Sequence, residues 1–349
     1  MSSSPTRIAF VLIPRFNMFA LTATIEPMRM ANYFASQPVY DWEFRSIEGG
    51  PIVASNGMSQ DSVPLSAPGG PWDTVFVCSS WDSERFEDAA LFRWLRAMDR
   101  QGVTLASLDC GAYLLARAGL LDGAKATLHW SFIPGFAERY PEVNLQEQLF
   151  TTDRKRVTCA GGTAGLDLML HEISRKQGPQ FALTIADIIL HHPVRPPETS
   201  QRQTLGGQTP ELHPKVRAAI ALMESNMEEP LDVPEIARRV DVSLRQLERL
   251  VRKDMGCSVV QLNTVLRLQY ARVLLTNTRM SIREVSVACG FNSMSYFSRS
   301  FLRCFQRKPS DYRRAWPDSE PAPKWPGTII STAQPRNSKR RDLAASPAN

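Results

Sequence analysis

Apolar and polar positions follow two different textures along the chain. In the first half, short apolar runs are separated by longer amphipathic stretches. Residues 7–14 (RIAFVLIP) are almost unbroken in apolar character, which suits a strand buried on both faces. Similar runs stand at 42–47 (WEFRSI), 73–80 (DTVFVCSS), 103–108 (VTLASL) and 155–161 (KRVTCAG). Between and after them, helical spacing marks 21–35, 89–102, 162–178 and 179–192. Strands alternating with helices predict an α/β domain built on a doubly wound, flavodoxin-like parallel sheet. Such sheets bind ligands at the carboxyl ends of their strands. From 193 to 214 the sequence turns to Pro, Gly, Thr and Gln with little to bury, which predicts a linker. Helix then follows helix from 215 to 316, an all-α region. The stretch 317–349 is Pro-rich and is expected to be a disordered tail. The expected organisation is therefore a first domain over 6–192, the linker, and a second domain over 215–316.

Composition narrows the class. With 349 residues and 43% hydrophobic content the chain can fill two cores. It has no apolar stretch of membrane-spanning length and no secretory pattern at its start, so a cytoplasmic protein is expected, with no membrane partner. Six widely spaced cysteines form no CxxC pair, which points to reduced packing residues. The net charge of +6 is unevenly placed. Acidic residues slightly outnumber basic ones before residue 211, and the positive excess lies in the helical region, where a polyanion can use it.

That region contains an internal repeat. Residues 233–256 (VPEIARRVDVSLRQLERLVRKDMG) and 282–306 (IREVSVACGFNSMSYFSRSFLRCFQ) match in type and spacing once one extra residue in the second turn is allowed. Each copy reads as a short helix, a tight turn and a longer helix. Ser243, and Ser293 or Asn292, are suited to cap the longer helices. This is helix-turn-helix grammar. In the first copy Leu244, Leu247 and Val251 are expected to anchor the second helix, leaving Arg245, Gln246, Arg249 and Arg252 outward. In the second copy Phe297, Phe301 and Phe305 anchor, leaving Ser295, Tyr296, Arg299 and Arg303. Arg pairs bidentately with guanine and Gln with adenine, so these faces suit double-stranded DNA. An ordinary bundle with solvated arginines is the bland alternative, and the repeat with its asymmetric charge argues against it.

The stretch 284–314 (EVSVACGFNSMSYFSRSFLRCFQRKPSDYRR) resembles the signature of the AraC/XylS transcription regulators, and RLQYARVLL at 267–275 resembles that family's linker helix. Gln306, Val259 and Leu262 depart from the family's usual residues. Residues 6–192 resemble ThiJ/PfpI, class I amidotransferase-type domains through IEPMRMAN, GAYLLARAGLLDGAKATLHW and TCAGGTAGLDLMLHEI. The two together are the combination of GlxA-like regulators. The resemblance implies a ligand-responsive, sequence-specific DNA-binding regulator, an activator that works as a homodimer with RNA polymerase and answers to a small-molecule effector.

The corner LASLDCGAYLLARAGLLDG (105–123) sits where ThiJ/PfpI enzymes expose a nucleophilic cysteine. Alignment on Gly111-Ala112 puts Asp109, not Cys110, at that elbow. The competing reading is a hydrolase, amidase or glyoxalase-like enzyme using Cys110 or Asp109, but no adjacent base is evident. A carboxylate on a pocket floor is better suited to a cation, so a sensor pocket is expected and no catalytic residue is assigned. Asp109 and Glu26 are the expected counter-charges, Trp81, Trp130 and Phe16 the aromatic wall, and His129 a neighbour. Regulators with Asp at the elbow resemble those sensing glycine betaine, carnitine or arginine. His171, His191 and His192 lack metal-ligand spacing and read as surface or helix-end residues, so no metal and no cofactor is expected. Glycines 161, 162 and 165 read as packing positions rather than a phosphate loop.

Overall fold

The apolar run at the start of the chain becomes β1 (Thr6–Leu12). It alternates its side chains between two cores, Ile8, Phe10 and Leu12 into one and Ala9, Val11 and Ile13 into the other. That is why the run is apolar at successive positions rather than every second one. The computed structural model describes residues 4–201, 212–278, 280–305 and 307–313. The stretch 317–349, read above as a tail, lies outside the described residues. Two compact units divide between residues 202 and 203.

In the first unit α1 (Met18–Phe34) leads from β1 to β2 (Tyr40–Ser46), followed by β3 (Gly50–Val53), β4 (Ser59–Pro64) and β5 (Thr74–Ser79). Next come α2 (Ala89–Arg100), β6 (Thr104–Asp109), α3 (Ala112–Arg117), β7 (Lys125–Ala126) and α4 (Ile133–Arg139). The unit closes with β8 (Asn144–Leu145), β9 (Phe150–Asp153), β10 (Arg156–Cys159), α5 (Ala164–Gln177) and α6 (Pro179–Ile188). The main sheet has the order β3-β4-β2-β1-β5-β6-β10-β9. It is parallel through its middle, with antiparallel pairs only at its two edges. Helices α1, α5 and α6 fill one face, and α2, α3 and α4 the other. The chain order reverses between β1 and β5, so the loops after β1, β5 and β6 open into one crevice.

Residues 193–201, read above as the start of a linker, bond to this unit. Pro197 C=O accepts from Leu149 N–H, and the Arg195 side chain reaches Asp167. Arg195 and Gln201 carry enough donors to satisfy buried acceptors, which a composition-based reading does not weigh.

The second unit contains α7 (Pro214–Ser225), α8 (Val233–Arg239), α9 (Leu244–Met255), α10 (Val259–Asn277), α11 (Ile282–Ala288), α12 (Met294–Phe305) and α13 (Pro309–Arg313). It has two small cores. Val259, Leu262 and Leu266 of α10 enter the first with α7–α9, and Leu268, Ala271, Leu274 and Leu275 enter the second with α11–α13. One uninterrupted helix therefore carries both.

Candidate functional site

Asp109 is the last residue of β6 and has φ 57°, in the left-handed region. Aspartate is one of the few residues besides glycine and asparagine that adopt this conformation at modest cost. The sharp turn lifts its carboxylate toward the crevice. There it accepts hydrogen bonds from Asn17 Nδ2 at 2.7 Å and Ser80 Oγ at 3.2 Å, one residue from the loop after β1 and one from the loop after β5. Gly161, from the loop after β10, closes a third side. A Cβ there would lie 2.8 Å from that of Asp109, and its φ of 85° also requires glycine. Three loops thus converge on one buried carboxylate at the end of β6.

Cys110 turns the other way. It is fully buried in the core under α3, and its thiol donates to Asp109 Oδ1 at 3.3 Å. Burial, then the neighbouring Asp109 charge, push the thiol well above its ordinary pKa. A protonated, inaccessible thiol is not a nucleophile.

Beside Asp109 runs an aromatic row. Trp81 and Phe132 meet edge to face at 6.2 Å, Phe132 and His129 at 6.3 Å, and His129 lies 5.6 Å from Trp130. The His129 backbone N–H donates to Asp109 C=O at 3.4 Å, so the row and the elbow are joined directly. Burial lowers the His129 pKa, with Asp109 opposing. Trp81 is 40% exposed. Of the expected pocket residues the structure therefore groups Asp109, Trp81, His129 and Trp130. Phe16 is fully buried in the α1/α5/α6 core and offers no surface in this conformation. Glu26 is half-exposed on α1, paired with Arg29 at 2.8 Å. Asn17, Ser80, Phe132 and Gly161 are additions that only the strand order explains.

His191, read above as a surface or helix-end residue, is a structural partner instead. Its Nε2 lies 2.8 Å from Asp167, a carboxylate with no exposure, because that buried charge needs donors. Among the described residues no His/Cys/Asp/Glu group is arranged to hold a metal ion.

In the second unit the two halves of the repeat superpose in kind. Asp241 (φ 54°) and Gly290 (φ 68°) make the same left-handed turn after α8 and α11. The extra residue follows in the second copy, and the caps then resume. Ser243 Oγ accepts from Gln246 N–H, and Ser293 Oγ from Tyr296 N–H. Leu247, Val251 and Met255 anchor α9, and Phe297 and Phe301 anchor α12. Leu244, expected as an anchor, is 49% exposed because the first helical position precedes the buried face. Arg245 and Arg249 are exposed and make no hydrogen bond or ion pair among the described residues. Arg252 pairs with Glu248 at 3.4 Å, and Arg299 Nε donates to Ser295 C=O at 3.2 Å. Gln246 returns its side-chain oxygen to the Ser243 N–H, so it offers only its NH2 group unless the cap opens. Ser295, Tyr296 and Arg303 are exposed on the same helix as Arg299.

Arg267 of α10 fixes the second turn. It donates to Cys289 C=O at 2.7 Å and Gly290 C=O at 2.5 Å and lies over Phe291 at 4.0 Å. In the first copy Glu248 reaches the other end of α10, accepting from Val259 N–H at 3.1 Å.

Comparison with known proteins agrees with this geometry. The family model described as a helix-turn-helix domain matches residues 236–315. Over 327 residues the chain is 41% identical to the HTH-type transcriptional regulator CdhR of Pseudomonas aeruginosa, covering 94% of this chain and 97% of that protein. It is 38% identical over 320 residues to the HTH-type transcriptional regulator GbdR of Pseudomonas aeruginosa, covering 91% of this chain and 87% of that one. Among solved structures, an AraC family transcriptional regulator from Pseudomonas putida matches with a TM-score of 0.50 and 26% identity, over 53% of this chain and 100% of that one. Two capped helix-turn-helix units, a closed-off thiol at the elbow and relatives aligned over nearly their whole length lead to one conclusion. The chain belongs to the HTH-type transcriptional regulators and carries an AraC-type helix-turn-helix DNA-binding domain over residues 236–315.

Proposed function

We propose that the sheet unit senses a small cationic solute of the betaine, carnitine or arginine type, and that the helical unit applies the signal at a DNA operator. The observation that carries the reading is the Asp109 carboxylate, held by Asn17 and Ser80 beside the row Trp81, Phe132, His129 and Trp130. A carboxylate supplies the counter-charge for an ammonium or guanidinium group. An aromatic face adds about 0.5–1 kcal/mol at an exposed site and about 2 kcal/mol or more when the cation is desolvated. At neutral pH the depressed His129 is uncharged and does not repel such a ligand. Glu26 contributes at most at long range, being engaged by Arg29.

On the DNA side, Arg245 and Arg249 are assigned to base edges, and Arg252, Arg299 and Arg303 to phosphate or base. Ser243 and Ser293 donate to phosphate from the helix N-termini, and Gln246, Ser295 and Tyr296 line the groove. The regulator acts in the cytoplasm as a homodimer and activates transcription through RNA polymerase. Among the described residues no helix is long and apolar enough to cross a membrane.

Calorimetry tests the sensor. Glycine betaine, carnitine and arginine are titrated into the wild type, Asp109→Asn and Trp130→Ala. Asparagine keeps the left-handed turn while removing the charge. Micromolar-to-millimolar binding of one solute is expected, abolished by Asp109→Asn and weakened by Trp130→Ala. Equal affinities in all three proteins, or preference for an anion, would refute the assignment.

A further inference from the structure

The stretch 193–201 grips the two loops that flank Asp109. At one end, the Asp167 carboxylate at the start of α5 has no solvent exposure. It accepts from the Arg195 backbone N–H at 2.8 Å, from Arg195 Nε at 3.0 Å and from Arg195 Nη2 at 2.5 Å. Arg195 Nη2 also donates to Thr163 Oγ1 at 2.8 Å, two residues beyond the Gly161 that abuts Asp109. In the middle, Pro197 C=O accepts from Leu149 N–H at 3.1 Å. At the far end, Gln201 Nε2, with two hydrogens to give, lies within 2.8–2.9 Å of Thr127 Oγ1, Leu128 C=O and Gln148 C=O, and Gln201 Oε1 accepts from Trp130 N–H at 2.7 Å. Leu128 and Trp130 bracket His129, whose own N–H reaches Asp109 C=O. One short stretch of chain, immediately before the second unit's sequence, therefore holds both walls of the pocket.

Resting on the sensor reading above, we infer that residues 193–201 are a strap whose docking is coupled to occupancy of the Asp109 pocket, each favouring the other. A solute seated between the 128–130 and 161–163 loops binds the state in which those loops are held, so it shifts the strap toward the docked state. The coupling is reciprocal by thermodynamic necessity. Undocking costs the Asp167 carboxylate its three Arg195 hydrogen bonds and leaves it the His191 contact. Its consequence is mechanical. Releasing nine residues, at most about 3.3–3.6 Å each, gives the connection between the units up to about 30 Å of free chain.

Hydrogen exchange on the full-length protein reads the strap directly. The Leu149 and Trp130 amides lie outside it but have their acceptors within it. The three solutes named above are the probes. A probe that binds the wild type and not Asp109→Asn is expected to slow exchange at Leu149. Gln201→Ala, which leaves the Leu149 acceptor in place, is expected to weaken that probe by about fivefold or more. Binding with Leu149 exchange unchanged, or undiminished in Gln201→Ala, overturns the strap while the sensor reading stands. If no probe binds, the sensor reading fails, and the strap is decided without ligand. Arg195→Ala and the charge-retaining Arg195→Lys should then both speed exchange at Trp130, which Arg195 does not touch. Unchanged exchange there overturns the strap.

Discussion

At Cys110 three circumstances act on the thiol in the same direction. It is excluded from water, it lies next to the Asp109 carboxylate, and it spends its proton on a hydrogen bond to that carboxylate. Each disfavours the thiolate, the form that attacks an electrophile. Iodoacetamide applied to the native protein at pH 8 is therefore expected to leave Cys110 unmodified. The half-buried Cys304, with its pKa raised to about 11 by burial, should react first, though slowly. Mass spectrometry of the digested protein checks the order, and rapid labelling of Cys110 would contradict it. His129 gives a second residue-level expectation. Burial holds its folded pKa below the unfolded value of about 6.5. Between those two values the unfolded chain binds more protons, so stability rises with pH there and is lost as the pH falls from about 6.5 toward the folded pKa. Melting curves from pH 7.5 to 5.5 should show a smaller fall for His129→Gln than for the wild type. A parallel fall in both would assign the acid sensitivity elsewhere.

At the scale of elements, Arg267 shows how a linker helix becomes part of its neighbour. Its guanidinium donates to two carbonyls at the end of α11 and covers Phe291, so it fixes the turn that aims α12. Charge-assisted bonds of this kind contribute about 1.5–3 kcal/mol, and stacking adds about 0.5–2 kcal/mol. Arg267→Ala should destabilise the second helical core by about 2–4 kcal/mol and leave the first core, with Leu247 and Val251, intact. Calorimetric melting that splits into an early and an unchanged transition is the expected result, and an unchanged profile would show that the turn stands without Arg267. Such contacts were not readable in the sequence, although the elements around them were. Strands β1, β5 and β6 were legible because burial on both faces leaves near-continuous apolar runs. The hairpin of β3 and β4 was not, since both strands are short and largely polar or exposed at the sheet edge. The repeat was legible down to its extra residue, because capping and core spacing recur at fixed offsets. Asp109 was legible from the break between strand and helix. Asn17 and Ser80 were not, because common polar residues acquire a role only when strand order brings the loops after β1 and β5 beside β6.

For the whole molecule acting on DNA, the decisive feature is that α10 has no break over its 19 residues, about 28 Å, while its two halves enter different cores. Helices α9 and α12 are therefore fixed relative to each other through one rod, at a length close to a DNA turn of about 34 Å. The positive excess of the region suits phosphate contacts, so log affinity is expected to fall linearly with log salt, and Arg252→Ala to reduce that slope by about 0.9 if Arg252 neutralises one phosphate. The rod makes a sharper demand on spacing. In an operator read by both helices of one chain, inserting 5 base pairs between the two contacted segments turns the second segment to the opposite side of the duplex. Inserting 10 restores the side but lengthens the separation by about 34 Å. A flexible connection would tolerate the second insertion, whereas a continuous helix tolerates neither. Gel-shift titrations are expected to show both insertions reducing affinity to that of a single half-element. Recovery with 10 base pairs would mean that the two reading helices are not held by one rod, and that α10 bends or unwinds on DNA.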